Sequence, residues 1–172
     1  LWRPWRMWFW GTVAMAIIAT PFLHDSSLLF PIVRKTSRVD PAKLDVMYKL
    51  RGWRDLGDHL SRQLDQHPGA IILCDDYMQA AEAAFYTRGQ PKTYYAGSYY
   101  SDAKRFTQYD MWPDHALEPD KTKLLGKDAI HVGGMHPELK SSFDSVEKLP
   151  FVDVYVRDYY LRSYEVWRRK GF

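Results

Sequence analysis

The pattern of apolar and polar positions opens with a charge-free run, Met7 to Leu23, at about the minimum length that crosses a bilayer. Trp2, Trp5, Trp8 and Trp10 lie at its start, with Arg3 and Arg6 among them. Tryptophan favours the headgroup region, and arginine beside a short span favours the cytoplasmic side. This predicts a transmembrane helix over 1–23 with its amino end in the cytoplasm. Arg34, Lys35 and Arg38 put charge on the other flank as well. A buried core helix shares the composition. A cleaved signal peptide fits less well, because the tryptophans crowd the first ten residues and no small-x-small site follows.

Residues 24–39 read as a juxtamembrane linker close to the lipid surface, and 40–172 as a soluble domain. Asp40-Pro41 sets a cap and a first-turn proline for a helix that either runs through Arg51-Gly52 or restarts at Trp53. Trp53, Leu56, Leu60 and Leu64 form one stripe, with Arg54, Asp55, Asp58, Arg62 and Asp65 away from it. His59 and His67 have no ligand partner at metal spacing and are expected at the surface. His67-Pro68-Gly69 stops the helix.

The next run, Ala70 to Cys74, is short, β-branched and fenced by breakers, as a strand buried on both faces would be. Asp75 and Asp76 can cap the helix that follows, which carries Met78, Ala81 and Phe85 at helical spacing and ends by Gly89. Strand, acidic turn and helix make half of a βαβ unit and predict a parallel sheet. Lys92–Tyr95 and Ala129–Val132 supply further parallel strands, the latter closed by Gly133-Gly134. Gly97–Phe106 reads as a tyrosine-rich loop, Asp114–Lys127 as a charged connection, and Pro137–Phe143 as a short helix. Phe151–Val156 and Tyr160–Trp167 alternate as a hairpin around Arg157-Asp158-Tyr159, expected to add an antiparallel edge. The fold class is α/β: a small, mainly parallel sheet flanked by helices, a carboxyl-terminal hairpin, and one transmembrane helix in front.

Composition narrows the function classes. At 172 residues with a net charge of +3, the basic residues are scattered, which speaks against nucleic acid as a partner. The single cysteine, Cys74, excludes an internal disulfide framework and reads as a small buried hydrophobe. No initiator methionine is present, and the expectation is a piece of a longer protein.

Two clusters carry candidate chemistry. Asp75 and Asp76 stand at the carboxyl end of a parallel strand, where α/β sheets bind ligands. Two adjacent carboxylates suit a hard divalent cation, but a helix cap accounts for them without any ligand. No glycine-rich phosphate loop follows the strand, which argues against a nucleotide-binding domain. Gln108, Tyr109, Asp110 and Trp112 combine rings, amide and carboxylate, as carbohydrate surfaces do; the same rings also serve simply to cover a sheet. His115, His131 and His136 make no metal pattern by spacing, and no nucleophile motif is present.

The ordered set of Arg51-Gly52-Trp53-Arg54-Asp55-Leu56, Asp75-Asp76-Tyr77-Met78-Gln79-Ala80-Ala81-Glu82, Phe85-Tyr86, Gln108-Tyr109-Asp110-Met111-Trp112-Pro113 and Gly126-Lys127-Asp128-Ala129 spans roughly residues 40 to 172. With the preceding apolar helix, it resembles the carboxyl-terminal part of bacterial GT-C membrane glycosyltransferases of the protein-mannosyltransferase and aminoarabinose-transferase type. The resemblance implies transfer of a sugar from a polyprenyl-phosphate carrier to an acceptor, and an inner-membrane location with the soluble domain on the periplasmic side. It also implies the upstream transmembrane region of the same protein and the lipid bilayer as partners. The family's catalytic carboxylate lies in an early loop that nothing here matches, so no catalytic residue carries over. No cofactor is expected in this chain, with a divalent cation left open for the parent enzyme. Asp75, Asp76, Tyr77, Gln79, Tyr109, Asp110 and Trp112 are the expected substrate-facing residues. A membrane-tethered binding or assembly module and a freestanding hydrolase-like enzyme are the alternatives.

Overall fold

The computed structural model describes residues 3–97, 107–112, 115, 124–134 and 136–172. Most of the Gly97–Phe106 loop and of the Asp114–Lys127 connection, with Pro113, lies outside the described residues. The chain divides into two compact units, Leu1–Arg51 with Tyr155–Leu161, and Gly52–Val154 with Arg162–Phe172.

The first unit begins with α1, Arg3–His24. Its 22 residues rise about 33 Å, enough for a hydrocarbon layer of about 30 Å. The helix is long and apolar enough to cross a membrane, and its apolar side chains lie exposed. The segment read as a linker is itself ordered: a 3-10 turn, Ser26–Leu29, leads into α2, Phe30–Thr36. Asp40 then caps a 3-10 turn over Pro41–Leu44 by accepting from the Ala42 N–H, and a second follows over Tyr48–Leu50. The helix started at Pro41 therefore ends early, and a new one starts beyond Gly52, which holds the left-handed φ of +85°.

A polar network closes this unit. Arg51 donates to Asp45 at 2.8 Å and to Asp25 at 2.6 Å. The Ser26 hydroxyl donates to Asp45, and the Ser27 hydroxyl to Asp25 at 2.6 Å. Arg157 reaches the same group, donating to Ser27 at 2.8 Å. The Ser27 hydroxyl and then Arg51 lower the Asp25 carboxyl to about 2.

In the second unit, α3 (Trp53–Gln66) and α4 (Tyr77–Tyr86) pack on each other and cover one face of the sheet. Gly57 is the close point, since a Cβ there would lie 2.5 Å from the Tyr86 carbonyl oxygen. The α3 stripe is buried at Trp53, Leu56 and Leu60, and half-buried at Leu64. His59, expected at the surface, is buried instead. On α4 the buried residues are Ala80 and Ala83, whereas Met78, Ala81 and Phe85 face outward. Alanines let the helix approach the strands closely.

Asp76 caps α4, its Oδ1 accepting from the Met78 and Gln79 N–H groups at 2.8 and 3.3 Å. Asp76→Ala is expected to lower stability by about 1 kcal/mol, the usual worth of such a cap, in urea unfolding. An unchanged midpoint would remove the cap from the account. The helix ends at Thr87, two residues before Gly89 takes its left-handed φ.

The sheet has five strands in the order β2-β1-β3-β7-β4. β1 (Ile71–Cys74) is flanked in parallel by β2 (Thr93–Tyr95) and β3 (Ala129–Val132), and all three are buried throughout. β7 (Val166–Lys170) runs antiparallel to β3, and β4 (Ser145–Lys148) antiparallel to β7, so the sheet is mixed. β5 (Val152–Val156) and β6 (Tyr159–Tyr164) form the expected hairpin, with left-handed φ at Arg157 and Asp158 as a type I′ turn needs. The hairpin stands as its own two-stranded sheet and is not the edge of the core. The alternating run Tyr160–Trp167 breaks at Glu165, whose carbonyl accepts from the Gly133 N–H, and only the part beyond it joins β3. On the face away from α3 and α4, Ile71, Leu73, Tyr94, Ala129, Leu139 and Phe143 form the core.

Candidate functional site at the carboxyl ends of the parallel strands

The chain leaves β1 to one side for β2 and returns on the other side for β3, so strand order reverses between β1 and β3. In open α/β sheets, ligands bind in the crevice beyond such a reversal. Asp75 follows β1 directly, and Gly133-Gly134 follow β3. His131 lies beside Leu73 in register, so Asp75, two residues on, shares its face of the sheet.

The contacts confirm the placement. Asp75 Oδ1 lies 2.6 Å from His131 Nε2, and Oδ2 accepts from the Gly134 N–H at 2.7 Å. His136 Nε2 is 3.5 Å from the same Oδ2. Behind them, Arg169 places a guanidinium nitrogen 2.9 Å from His131 Nδ1, with both side chains fully buried. Arg169 stands opposite Ala129, diagonal to His131, a separation that long side chains bridge. Gly133 holds φ +141°, and a Cβ on it would meet the Asp75 carboxylate at 2.0 Å. Glycine is required there because the carboxylate occupies the side-chain space. Trp167 donates its indole N–H to the Gly133 carbonyl at 3.0 Å and fixes the turn from below.

Proton positions follow from donor inventory. Guanidinium only donates, so His131 Nδ1 accepts and the ring proton sits on Nε2, donating to Asp75. Burial drives His131 below the ordinary imidazole range; Asp75 opposes that shift, and Arg169 and His136 add to it. Although the His131–Asp75 distance alone would suit an ion pair, the imidazole is neutral here. The result is a relay from a buried arginine, through a neutral histidine, to a carboxylate that keeps a partly exposed edge in the crevice.

Around this carboxylate the other expected residues gather on Tyr95. Its ring meets Tyr77 edge-on at 6.4 Å and Tyr109 at 6.3 Å, and Tyr109 meets Trp112 at 5.6 Å. Burial raises the Tyr95 hydroxyl pKa, and the Asp110, Asp76 and Asp75 carboxylates raise it further. Tyr109 is buried and raised chiefly by desolvation, while Tyr77 and Trp112 keep exposed rings. His115 closes the aromatic group from the side, its Nδ1 3.1 Å from the Thr93 carbonyl. Asp110 heads the short helix α5 (Gln108–Met111), where its carboxylate accepts from the Thr107 N–H at 2.7 Å and hydroxyl at 2.9 Å.

Of the three carboxylates, Asp76 and Asp110 are therefore engaged in helix caps, and Asp75 alone anchors a buried network. Gln79 sits beyond the Asp76 cap, and its Oε1 is buried without a hydrogen-bond partner among the described residues. No group of three or more His, Cys, Asp or Glu side chains among the described residues is placed to hold a metal ion. His131 and His136 meet at one carboxylate. No family model, no curated protein and no solved structure matches this chain.

Sequence reasoning missed His131, Arg169, Gly133 and Tyr95 as parts of the site. Only the Gly-Gly pair closing β3 marked the place, because its meaning depends on what approaches it. Cys74, at the end of β1, is buried, and desolvation raises its thiol, as expected of an inert core residue.

Proposed function

We propose that this chain is the carboxyl-terminal accessory region of an integral-membrane glycosyltransferase that uses a polyprenyl-phosphate sugar, with the catalytic groups outside it. In this reading α1 is the last membrane helix, and the α/β unit lies on the periplasmic side. The crevice at β1 and β3 takes a hydroxyl-rich part of the acceptor or of the carried sugar. The observation that carries the proposal is the convergence of exposed rings and an anchored carboxylate at the strand-order reversal. Stacking on Trp112 and Tyr77 suits a sugar's apolar face, and Asp75 suits its hydroxyls.

Trp112→Ala and Tyr77→Ala in the full-length enzyme are expected to lower sugar transfer in membranes while its melting temperature and abundance stay unchanged. Both rings are exposed, so folding is spared. Transfer at the unsubstituted level would reject the crevice as a substrate surface and leave the membrane-tethered assembly module as the reading.

A further inference from the structure

We infer that the residues following α1 form a binding belt for anionic lipid headgroups. The inference rests on α1 crossing the membrane. Asp25, one residue past α1, holds Arg51, and Asp45 is bonded to both Ser26 and Arg51. Residues 25–51 are therefore folded back onto the end of the span and stay at the bilayer edge.

What this segment presents is apolar and basic at once. Ile32, Val39, Leu44, Val46 and Leu50 are exposed, Val46 to 72% and Leu50 to 69%. Arg34, Lys35, Arg38, Lys43 and Lys49 are exposed between them. The acids Asp25 and Asp45 are consumed by Arg51, with Arg157 close to the first, which leaves Asp40 as the exposed acid of residues 31–50. The pairing with Arg51 thus neutralises Asp25 and Asp45 and leaves the other cations of the segment facing outward. Interfacial segments of this make-up bury their apolar side chains at the acyl boundary and hold anionic headgroups with their cations. Tyr155 and Tyr160, stacked edge-on at 5.8 Å on the hairpin tip of the same unit, add the amphipathic rings typical of that depth.

The test uses the whole chain with Val46→Cys carrying an environment-sensitive dye, since buried Cys74 does not compete for the label. It is reconstituted into phosphatidylcholine vesicles with and without phosphatidylglycerol, each containing a lipid with a nitroxide near the headgroup. The expected result is a loss of emission in the anionic vesicles, largely absent in the neutral ones and abolished by K35Q/R38Q/K43Q. Equal quenching in both vesicles, or none in either, overturns the belt. Alkaline carbonate extraction separates the two failures: a chain washed off fails the membrane reading, whereas a chain retained but unquenched fails only this one.

Discussion

Asp75→Ala is expected to lower the stability of the α/β unit by about 2–4 kcal/mol, measured by urea unfolding. The carboxylate accepts from the buried His131 N–H and from the Gly134 N–H. Removing it orphans two donors, and each unsatisfied buried group costs about 1–3 kcal/mol. Asp75→Asn keeps the shape but supplies one acceptor oxygen and turns a second donor toward one of those N–H groups, so it recovers only part of the loss. A loss in Asp75→Ala no larger than an ordinary surface change, about 0.5 kcal/mol or less, would mean that the network is not a structural anchor.

The second large effect is a pH dependence. Burial lowers the folded-state pKa of His131 below its ordinary 6.5. The unfolded chain then binds the proton first, so stability is complete above about pH 6.5 and falls as the pH drops toward the folded value. Each such group contributes a slope of up to about 1.4 kcal/mol per pH unit. His59 is lowered by burial too and adds to the same window. Asp25, held down to about 2, enters only below about pH 4, where an unfolded carboxylate begins to protonate. His131→Gln keeps a donor for Asp75 and an acceptor for Arg169 but cannot titrate. Between pH 6.5 and 5 its unfolding free energy is expected to fall less steeply than that of the unsubstituted protein. Equal slopes would show that His131 takes up a proton without leaving the fold.

Legibility in the sequence follows the length scale of each interaction. β1, β2, β3 and the cap of α4 are written locally, as apolar runs with breakers and an aspartate at the right step, and the structure carries them. β4 is not, because Ser145–Lys148 is mostly exposed and owes its strand form to pairing with β7. The buried side of α4 was hidden for a similar reason: two alanines against a sheet outweigh a larger but exposed Met78 and Phe85. Of the seven expected site residues, the acidic turn and the Tyr109–Trp112 cluster are near neighbours because β1 and β2 are. His131 and Arg169 are 38 residues apart, and their bond exists only through one antiparallel register. A one-residue slip would send Arg169 to the opposite face. No local pattern encodes that.

The hairpin β5–β6 has a mechanical meaning as well. The chain enters the α/β unit after Arg51, leaves it at Tyr155 and re-enters at Arg162, so the two units share three peptide connections. A cut at the first of them separates residues 1–51 covalently from the rest of the chain, and Tyr155–Leu161 stays behind on the larger piece. A fragment begun at Gly52 would still carry Tyr155–Leu161, a piece of the neighbouring unit stripped of its partners Phe30 and Ser27. The boundary drawn by compactness is thus not one that a protease or a gene truncation can reproduce.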